Sequence, residues 1–389
     1  FIYNPVENKK NIKNDAEVYS DGLFDGNLGF SLRLFYDYLL SSNDKSYDCA
    51  MSILDDVFES LQNESTLANL SISEGLSGLG YMLCLLNNLD LLDVEVEEII
   101  PGLDGLLYEL AAESVRDGNL GFCNGVSGVL HYFNKTQAGE LTAGLVGLVM
   151  SVTTNDKKEF FYPAEPIFLP RLGVTHSYVN LSMSNGLSGL ISTLLNYYHA
   201  HPSPELKMYI YDALNFILAN RREVSFAEGR FCHFPSFVKD PGFDYGQLFK
   251  AWDKSRLAWC IGDLNMAYLF TRAGQLFNEE EFLAVGNETG LTTTKRKYGL
   301  ETKVTDPFFC HGSSGLAAVY RRLYEMTSLE HYRESHAHWS RMTESYVKKG
   351  SLSDQSRGGL LNGSAGAELF LATQSIDNAD NNWTSLFIP

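Results

Sequence analysis

A short glycine motif recurs seven times along the chain, and each copy opens an apolar run. Such repetition constrains a fold strongly, because one short repeat cannot bury its own apolar face and must stack on its neighbours. The first copies are Asp25-Gly26-Asn27-Leu28-Gly29, Glu74-Gly75-Leu76-Ser77-Gly78, Asn124-Gly125-Val126-Ser127-Gly128 and Asn185-Gly186-Leu187-Ser188-Gly189. A degenerate copy follows, Cys260-Ile261-Gly262-Asp263-Leu264-Asn265. The last two are His311-Gly312-Ser313-Ser314-Gly315 and Asn362-Gly363-Ser364-Ala365-Gly366. The first glycines stand at 26, 75, 125, 186, 262, 312 and 363, giving steps of 49, 50, 61, 76, 50 and 51 residues. A step of about 50 residues holds two helices and their connections, so seven units make about fourteen helices.

The segments after the glycines divide into two kinds. Residues 79–89, 187–198 and 316–326 are apolar nearly all round, as a buried helix must be. Residues 47–61, 205–222 and 328–348 are amphipathic and read as an outer layer with one wet face. A glycine at a helix N-terminus lets backbones approach closely, or permits φ > 0 in the preceding turn. Crowded together, those N-termini would present N–H groups and positive dipole ends at one mouth. The predicted fold is all-α: an α/α toroid with seven inner helices inside seven outer ones, forming a single domain over 1–389. An open solenoid is the competitor. The aperiodic residues 378–389 offer no polar cap, which favours closure. Two intervals, 152–178 with its three prolines and the phenylalanine-rich 223–252, are insertions expected as loop or short strands near the mouth.

With 389 residues, 44% of them hydrophobic, the chain has ample material for a core. Thirty Lys and Arg against 48 Asp and Glu leave a net charge of −18, which argues against nucleic acid and against electrostatic attachment to anionic lipid. No apolar run reaches the roughly 18 residues a membrane-spanning helix needs. No signal peptide is visible, so the six cysteines are expected as reduced thiols in a cytoplasm.

The repeat phase brings three soft ligands together. Cys260 and Cys310 each stand two residues before a repeat glycine, and His311 stands one before. In a ring of equivalent units these side chains converge at one mouth. Two thiolates and an imidazole suit Zn²⁺ with a fourth position open, the pattern of a catalytic site. Cys123 has the same phase but no histidine after it. Cys49 and Cys84 read as small hydrophobes, and Cys232-His233, off the phase, as loop packing.

Trp259-Cys260-Ile261-Gly262 and Cys310-His311-Gly312, with the seven glycine repeats around them, resemble the lanthionine synthetase C-like family, the lanthipeptide (lantibiotic) cyclases. The resemblance covers essentially the whole chain. It implies an α/α toroid and a Zn²⁺ held by Cys260, Cys310 and His311, with Arg256 matching an active-site arginine of the family. The implied reaction adds precursor-peptide cysteine thiols to dehydroalanine or dehydrobutyrine, giving thioether rings. The implied partners are a dehydrated precursor peptide, a dehydratase and a transporter, through which any membrane association would run. Arg256 would stabilise the enolate that forms on addition.

Two positions depart from the family. Its usual histidine before the fourth repeat glycine is Asn185 here, and its frequent acid four residues before the third is Gly121. Asn185 can donate a hydrogen bond but cannot shuttle a proton at neutral pH. His176, nine residues earlier in the first insertion, is a candidate replacement, with Asp117 and Asp263 as others. These departures leave open a zinc-loaded peptide-binding scaffold that does not cyclise. A third reading follows from toroids that host glycoside hydrolases, with Asp25, Glu74 and Asp263 as candidate paired carboxylates, but such a site needs no Cys-Cys-His set.

Overall fold

The computed structural model describes residues 20–61, 67–92, 96–155, 159–169, 174–239, 256–350, 358–374 and 383–389. Each of the seven repeat glycines is the N-cap of a helix. These seven helices form the inner layer: Asn27–Ser41, Leu76–Asn88, Val126–Thr136, Leu187–Ala200, Asp263–Phe277, Ser313–Thr327 and Ser364–Ala372. Each packs on the next, and the seventh packs on the first. The ring is closed.

Backbone hydrogen bonds close the same circle at the mouth. Phe24 N–H donates to Ser73 O (3.0 Å), Ser73 to Cys123 (3.1 Å), and Cys123 to Ser184 (2.7 Å). Met183 N–H donates to Cys260 O (2.9 Å), Trp259 to Cys310 (3.2 Å), Cys310 to Leu361 (2.9 Å), and Leu361 back to Phe24 (2.9 Å). The residues involved stand two or three before their repeat glycines. An open solenoid would leave its first and last repeats unpaired, so these bonds exclude that competitor. Asp25 reinforces the seam between the first and last repeats by accepting from the Asn362 backbone N–H (2.7 Å) and side-chain amide (2.6 Å).

The glycines are there for close approach. A Cβ on Gly29, Gly78, Gly128, Gly189, Gly315 or Gly366 would lie well under 3.0 Å from the carbonyl oxygen six residues earlier. The turn folds back under its own helix and leaves no room for a side chain. The fifth repeat has Asn265 at that place and turns differently: Gly262 takes φ 95°, which only glycine adopts without strain, whereas the other six caps are extended. The expectation that the helix N-termini present N–H groups at the mouth is corrected for four of the seven repeats. The first helical N–H donors of four repeats, at Asn27, Leu76, Val126 and Ser313, are taken by Ser20, Asn69, Asn119 and Asp306 carbonyls of the same turns.

Among the described residues there are six outer helices: Asp44–Leu61, Val96–Arg116, Gly139–Val152, Pro204–Leu218, Glu280–Thr294 and Glu330–Lys348. Each runs back toward the mouth after its inner partner and buries one stripe. In the first, Ala50, Ile53, Leu54 and Val57 face inward at helical spacing. The fourth starts on Ser203, whose hydroxyl accepts from Leu206 N–H, with Pro204 in the first turn. It ends at Leu218, short of the 222 expected.

The seventh repeat departs from the predicted helix pair among the described residues. After its inner helix, residues 383–389 enter the lumen and plug it. Phe387 packs its ring against Phe24, Trp259, Phe309 and Trp383. Trp259 Nε1 donates to Phe387 O (2.8 Å), and Tyr268 OH (2.7 Å) and Ser192 Oγ (2.9 Å) donate to Pro389 O.

The first insertion forms β1 (Glu165–Leu169) and β2 (Val174–Asn180), antiparallel with Ile167 opposite His176. Β2 also pairs with β3 (Phe237–Lys239) of the second insertion, Val179 opposite Val238. Positions 240–252 of that insertion lie outside the described residues.

Candidate metal centre

The mouth is built in three tiers, each set by distance from the repeat glycine. Three residues before it stand Leu23, Ile72, Phe122, Met183, Trp259, Phe309 and Leu360, all buried and forming an apolar floor over the lumen plug. Two before it stand Phe24, Ser73, Cys123, Ser184, Cys260, Cys310 and Leu361, whose backbones carry the hydrogen-bonded ring. One before it stand Asp25, Glu74, Asn124, Asn185, Ile261, His311 and Asn362.

The turns of repeats five and six bring Cys260, Cys310 and His311 together, with ligand atoms all within 4.8 Å of one another. Trp259 N–H on Cys310 O couples the two turns directly. Both cysteines are buried, and His311 is half-buried with Nε2 3.5 Å from Cys310 Sγ. A hydrogen bond from the Cys310 thiol, together with the His311 ring and the positive charges of His311 and Arg256, pulls the Cys260 thiol down to about 6 against the effect of burial. The same bond and burial push Cys310 up. The pair therefore shares one proton. Two sulfurs and a ring nitrogen at this separation, with one sulfur already anionic, fit a zinc ion as three of its four ligands.

The other candidate residues lie at stated places. Arg256, half-buried, stands four residues before Cys260, and its charge is among the causes that hold Cys260 down. Asn185 sits in the fourth turn, which bonds to the Cys260 carbonyl through Met183 N–H, and its own N–H donates to Ser182 Oγ (3.2 Å). Gly121 lies against Asn185; a Cβ there would stand 3.1 Å from Asn185 Cα. The two departures are therefore neighbours, and neither carries a titratable group. His176 is in β2, four residues before Asn180, whose carbonyl packs under Gly186, so its backbone is about 13 Å along the strand from that turn.

Cys123 is buried and outside the three-residue cluster; burial pushes its thiol up. Cys49 and Cys84 pack against the core. Cys232 is buried, and His233 is bonded to Arg222 O (3.2 Å) and Thr292 Oγ1 (3.1 Å). Asp263 is fully buried and accepts from the N–H groups of His233 (2.7 Å) and Phe234 (2.9 Å), so it ties the second insertion to the fifth turn. Glu74 accepts from Ser20 Oγ (2.5 Å), and burial raises its carboxyl. Asp117 is exposed at a helix end. Phe387 and its segment carry no repeat signal; only Trp383 and the short apolar stretch Leu386-Phe387-Ile388, without periodicity, pointed to a buried destination.

A closed α/α toroid with a Cys-Cys-His cluster at its mouth defines the class. The family model for lanthionine synthetase C-like proteins matches residues 169–388, more than half of the chain, and the protein belongs to that family. Among solved structures, nisin cyclase is similar at a TM-score of 0.81 with 14% identity, over 99% of this chain and 95% of that one. Cellobiose 2-epimerase from Bacillus thermoamylovorans B4167 matches at a TM-score of 0.41 with 11% identity, over 95% of this chain and 96% of its own. A sugar epimerase from a ruminal bacterium matches at 0.40 with 11% identity, over 96% of each chain. Among the described residues no helix is long and apolar enough to cross a membrane.

Proposed function

We propose that this protein is a zinc-dependent lanthipeptide cyclase acting as a single toroid domain in the cytoplasm. Its substrate would be a dehydrated precursor peptide, with a dehydratase and a transporter as partners. The observation that carries this reading is the convergence of Cys260, Cys310 and His311 at the mouth of a closed ring. A zinc ion held by these three would lower the pKa of a substrate cysteine thiol, which near 8.5 is mostly protonated at neutral pH.

The chain's own residues would supply the rest. Arg256 offers a fixed positive charge to the enolate oxygen that develops as sulfur adds to the alkene. Asn185 offers an amide N–H to the same oxygen. The buried floor of Trp259 and Phe309 closes the lumen below the site to water. One C–S bond forms, and the thiol proton ends on the α-carbon, so mass is unchanged. His176 is a further candidate for delivering that proton, if the β1–β2 sheet closes over the mouth in the complex.

One observation favours a second reading. Gly121 and Asn185 stand side by side without a proton donor. A scaffold that holds zinc and peptide while another enzyme cyclises would look like this. Dehydrated precursor mixed with the purified protein separates the two. Cyclisation consumes free thiols at constant mass; a scaffold binds the peptide and leaves every thiol free.

A further inference from the structure

The segment 383–389 is held by every repeat of the ring. Trp383 Nε1 donates to Thr373 Oγ1 (3.0 Å) at the end of the seventh inner helix. Ser385 O accepts from His131 Nε2 of the third (3.0 Å), and the Ser385 hydroxyl pairs with Tyr81 OH of the second (3.0 Å). Pro389 O accepts from Ser192 of the fourth (2.9 Å) and Tyr268 of the fifth (2.7 Å). Phe387 meets the turns of the first, fifth and sixth repeats, its ring centroid 4.7 Å from Phe24, 5.5 Å from Trp259 and 4.5 Å from Phe309. Filling a lumen restores close packing, but any apolar side chain of suitable size would serve that end.

The place of Phe387 is more particular. Trp259 and Phe309 each stand one residue before a cysteine of the metal cluster. Their rings are 6.0 Å apart, and Phe387 lies against both, edge-on to Trp259 (79°) and at a shallow tilt to Phe309 (31°). Trp259 is also bonded to it, Nε1 to Phe387 O (2.8 Å). At the level of the hydrogen-bonded ring, Trp259 N–H on Cys310 O (3.2 Å) joins the same two turns. The turns bearing Cys260 and Cys310 are therefore clamped twice, by each other's backbone and by Phe387 from the lumen. The bonds to Tyr81, His131, Ser192 and Tyr268 keep this wedge from retreating. Such support matters for a metal. Zinc–sulfur bonds of about 2.3 Å tolerate errors of only about 0.2 Å. Two thiols on separate turns meet that tolerance when the groups behind them are fixed.

We propose that Phe387 is a positioning residue for the metal centre: wedged under Trp259 and Phe309, it sets the separation of the Cys260 and Cys310 sulfurs. This rests on the reading above that the cluster holds zinc, whereas the separation itself is a property of the metal-free chain as well.

Two measurements on the full-length protein test this. Zinc affinity is read by competition with a chromogenic chelator. The spacing is read without metal, by capture of phenylarsine oxide, a trivalent arsenical that binds tightly only where two thiols lie close together. Capture is expected in wild type and lost in Cys310→Ala. Phe387→Ala is expected to weaken zinc binding and arsenical capture each by about tenfold or more, and Phe387→Leu, which keeps apolar bulk without the ring, by about threefold. Phe35→Ala removes the same ring from the first inner helix, where it packs buried against Tyr47. It is expected to lower the urea midpoint as Phe387→Ala does and to leave both affinities within about twofold of wild type. That outcome separates positioning from a general loss of stability. Should Phe387→Ala not fold, the Phe387→Leu result decides alone. No capture in wild type, capture in the Phe387 variants equal to wild type, or an equal loss in Phe35→Ala overturns the proposal. Capture that depends on Phe387 in a protein that binds no zinc upholds the spacing and refutes the zinc reading alone.

Discussion

Cys123 and Cys260 occupy the same register in two turns of one ring, each two residues before its repeat glycine and each with its carbonyl in the hydrogen-bonded circle. Their chemistry is opposite. Cys260 faces Cys310 and His311, and the Cys310 thiol hydrogen bond leads in drawing its pKa down to about 6. Cys123 is followed by Asn124 and lies outside the cluster; burial first, then the negative charges of Cys260 and Asp25, push its thiol up. Backbone position thus brings a side chain to the mouth, but the neighbouring turns decide whether it is a ligand. The same contrast holds for the histidine place: His311 lies in the arc of the Cys-Cys-His cluster, Asn185 in the arc beside it.

The largest test of this contrast is a pair of substitutions. Cys260→Ser is expected to remove zinc and cyclisation together, by about 1,000-fold or more in rate, and to lose the metal's contribution to stability. That contribution is about 4 kcal/mol where free zinc exceeds its dissociation constant a thousandfold. Cys123→Ser is expected to keep equimolar zinc. If both variants lost the metal alike, the division of the ring into a metal arc and an inert arc would fail.

A smaller effect separates the tight turns from the outer layer. At Gly315 an added Cβ would collide with the Phe309 carbonyl directly beside Cys310, whereas at Gly105, on an exposed outer face, it meets nothing within 4 Å. Gly315→Ala is therefore expected to cost about 3 kcal/mol in urea unfolding, and Gly105→Ala to gain up to about 1 kcal/mol. Equal urea midpoints would mean that the turn can relax and that the glycines are not needed for closure.

The mildest test is a titration of the metal-free protein. Only the thiolate absorbs near 240 nm and alkylates readily. Lowering the Cys260 pKa means its thiolate is present above about pH 6 and is lost as pH falls through that value. One thiolate per chain should therefore titrate near pH 6 in wild type and vanish in Cys260→Ser. Cys123 should stay protonated well above pH 9. A first thiolate appearing only near pH 8.5 would remove the proposed Cys310 hydrogen bond.

Much of this architecture was legible because a repeat fixes geometry through spacing. Gly26 to Gly363 gave the register, and the phase of Cys260, Cys310 and His311 against Gly262 and Gly312 predicted their convergence. Other features were not local. The position of 383–389 depends on a lumen that exists only after closure, so Phe387 carries no periodic signal. Both reasons expected for the glycines are found, close backbone approach within the turn at the second glycine of six repeats and positive φ at Gly262 alone among the seven caps.

X-ray absorption at the zinc edge, on protein purified without added metal, tests the shared grip of the three ligands most directly. The expected spectrum shows one zinc per chain with two sulfurs at about 2.3 Å and a nitrogen or oxygen shell at about 2.0–2.1 Å, the shell losing its imidazole signature in His311→Ala. Zinc bound with no sulfur in its first shell, or a shell unchanged by Cys260→Ser, would contradict it.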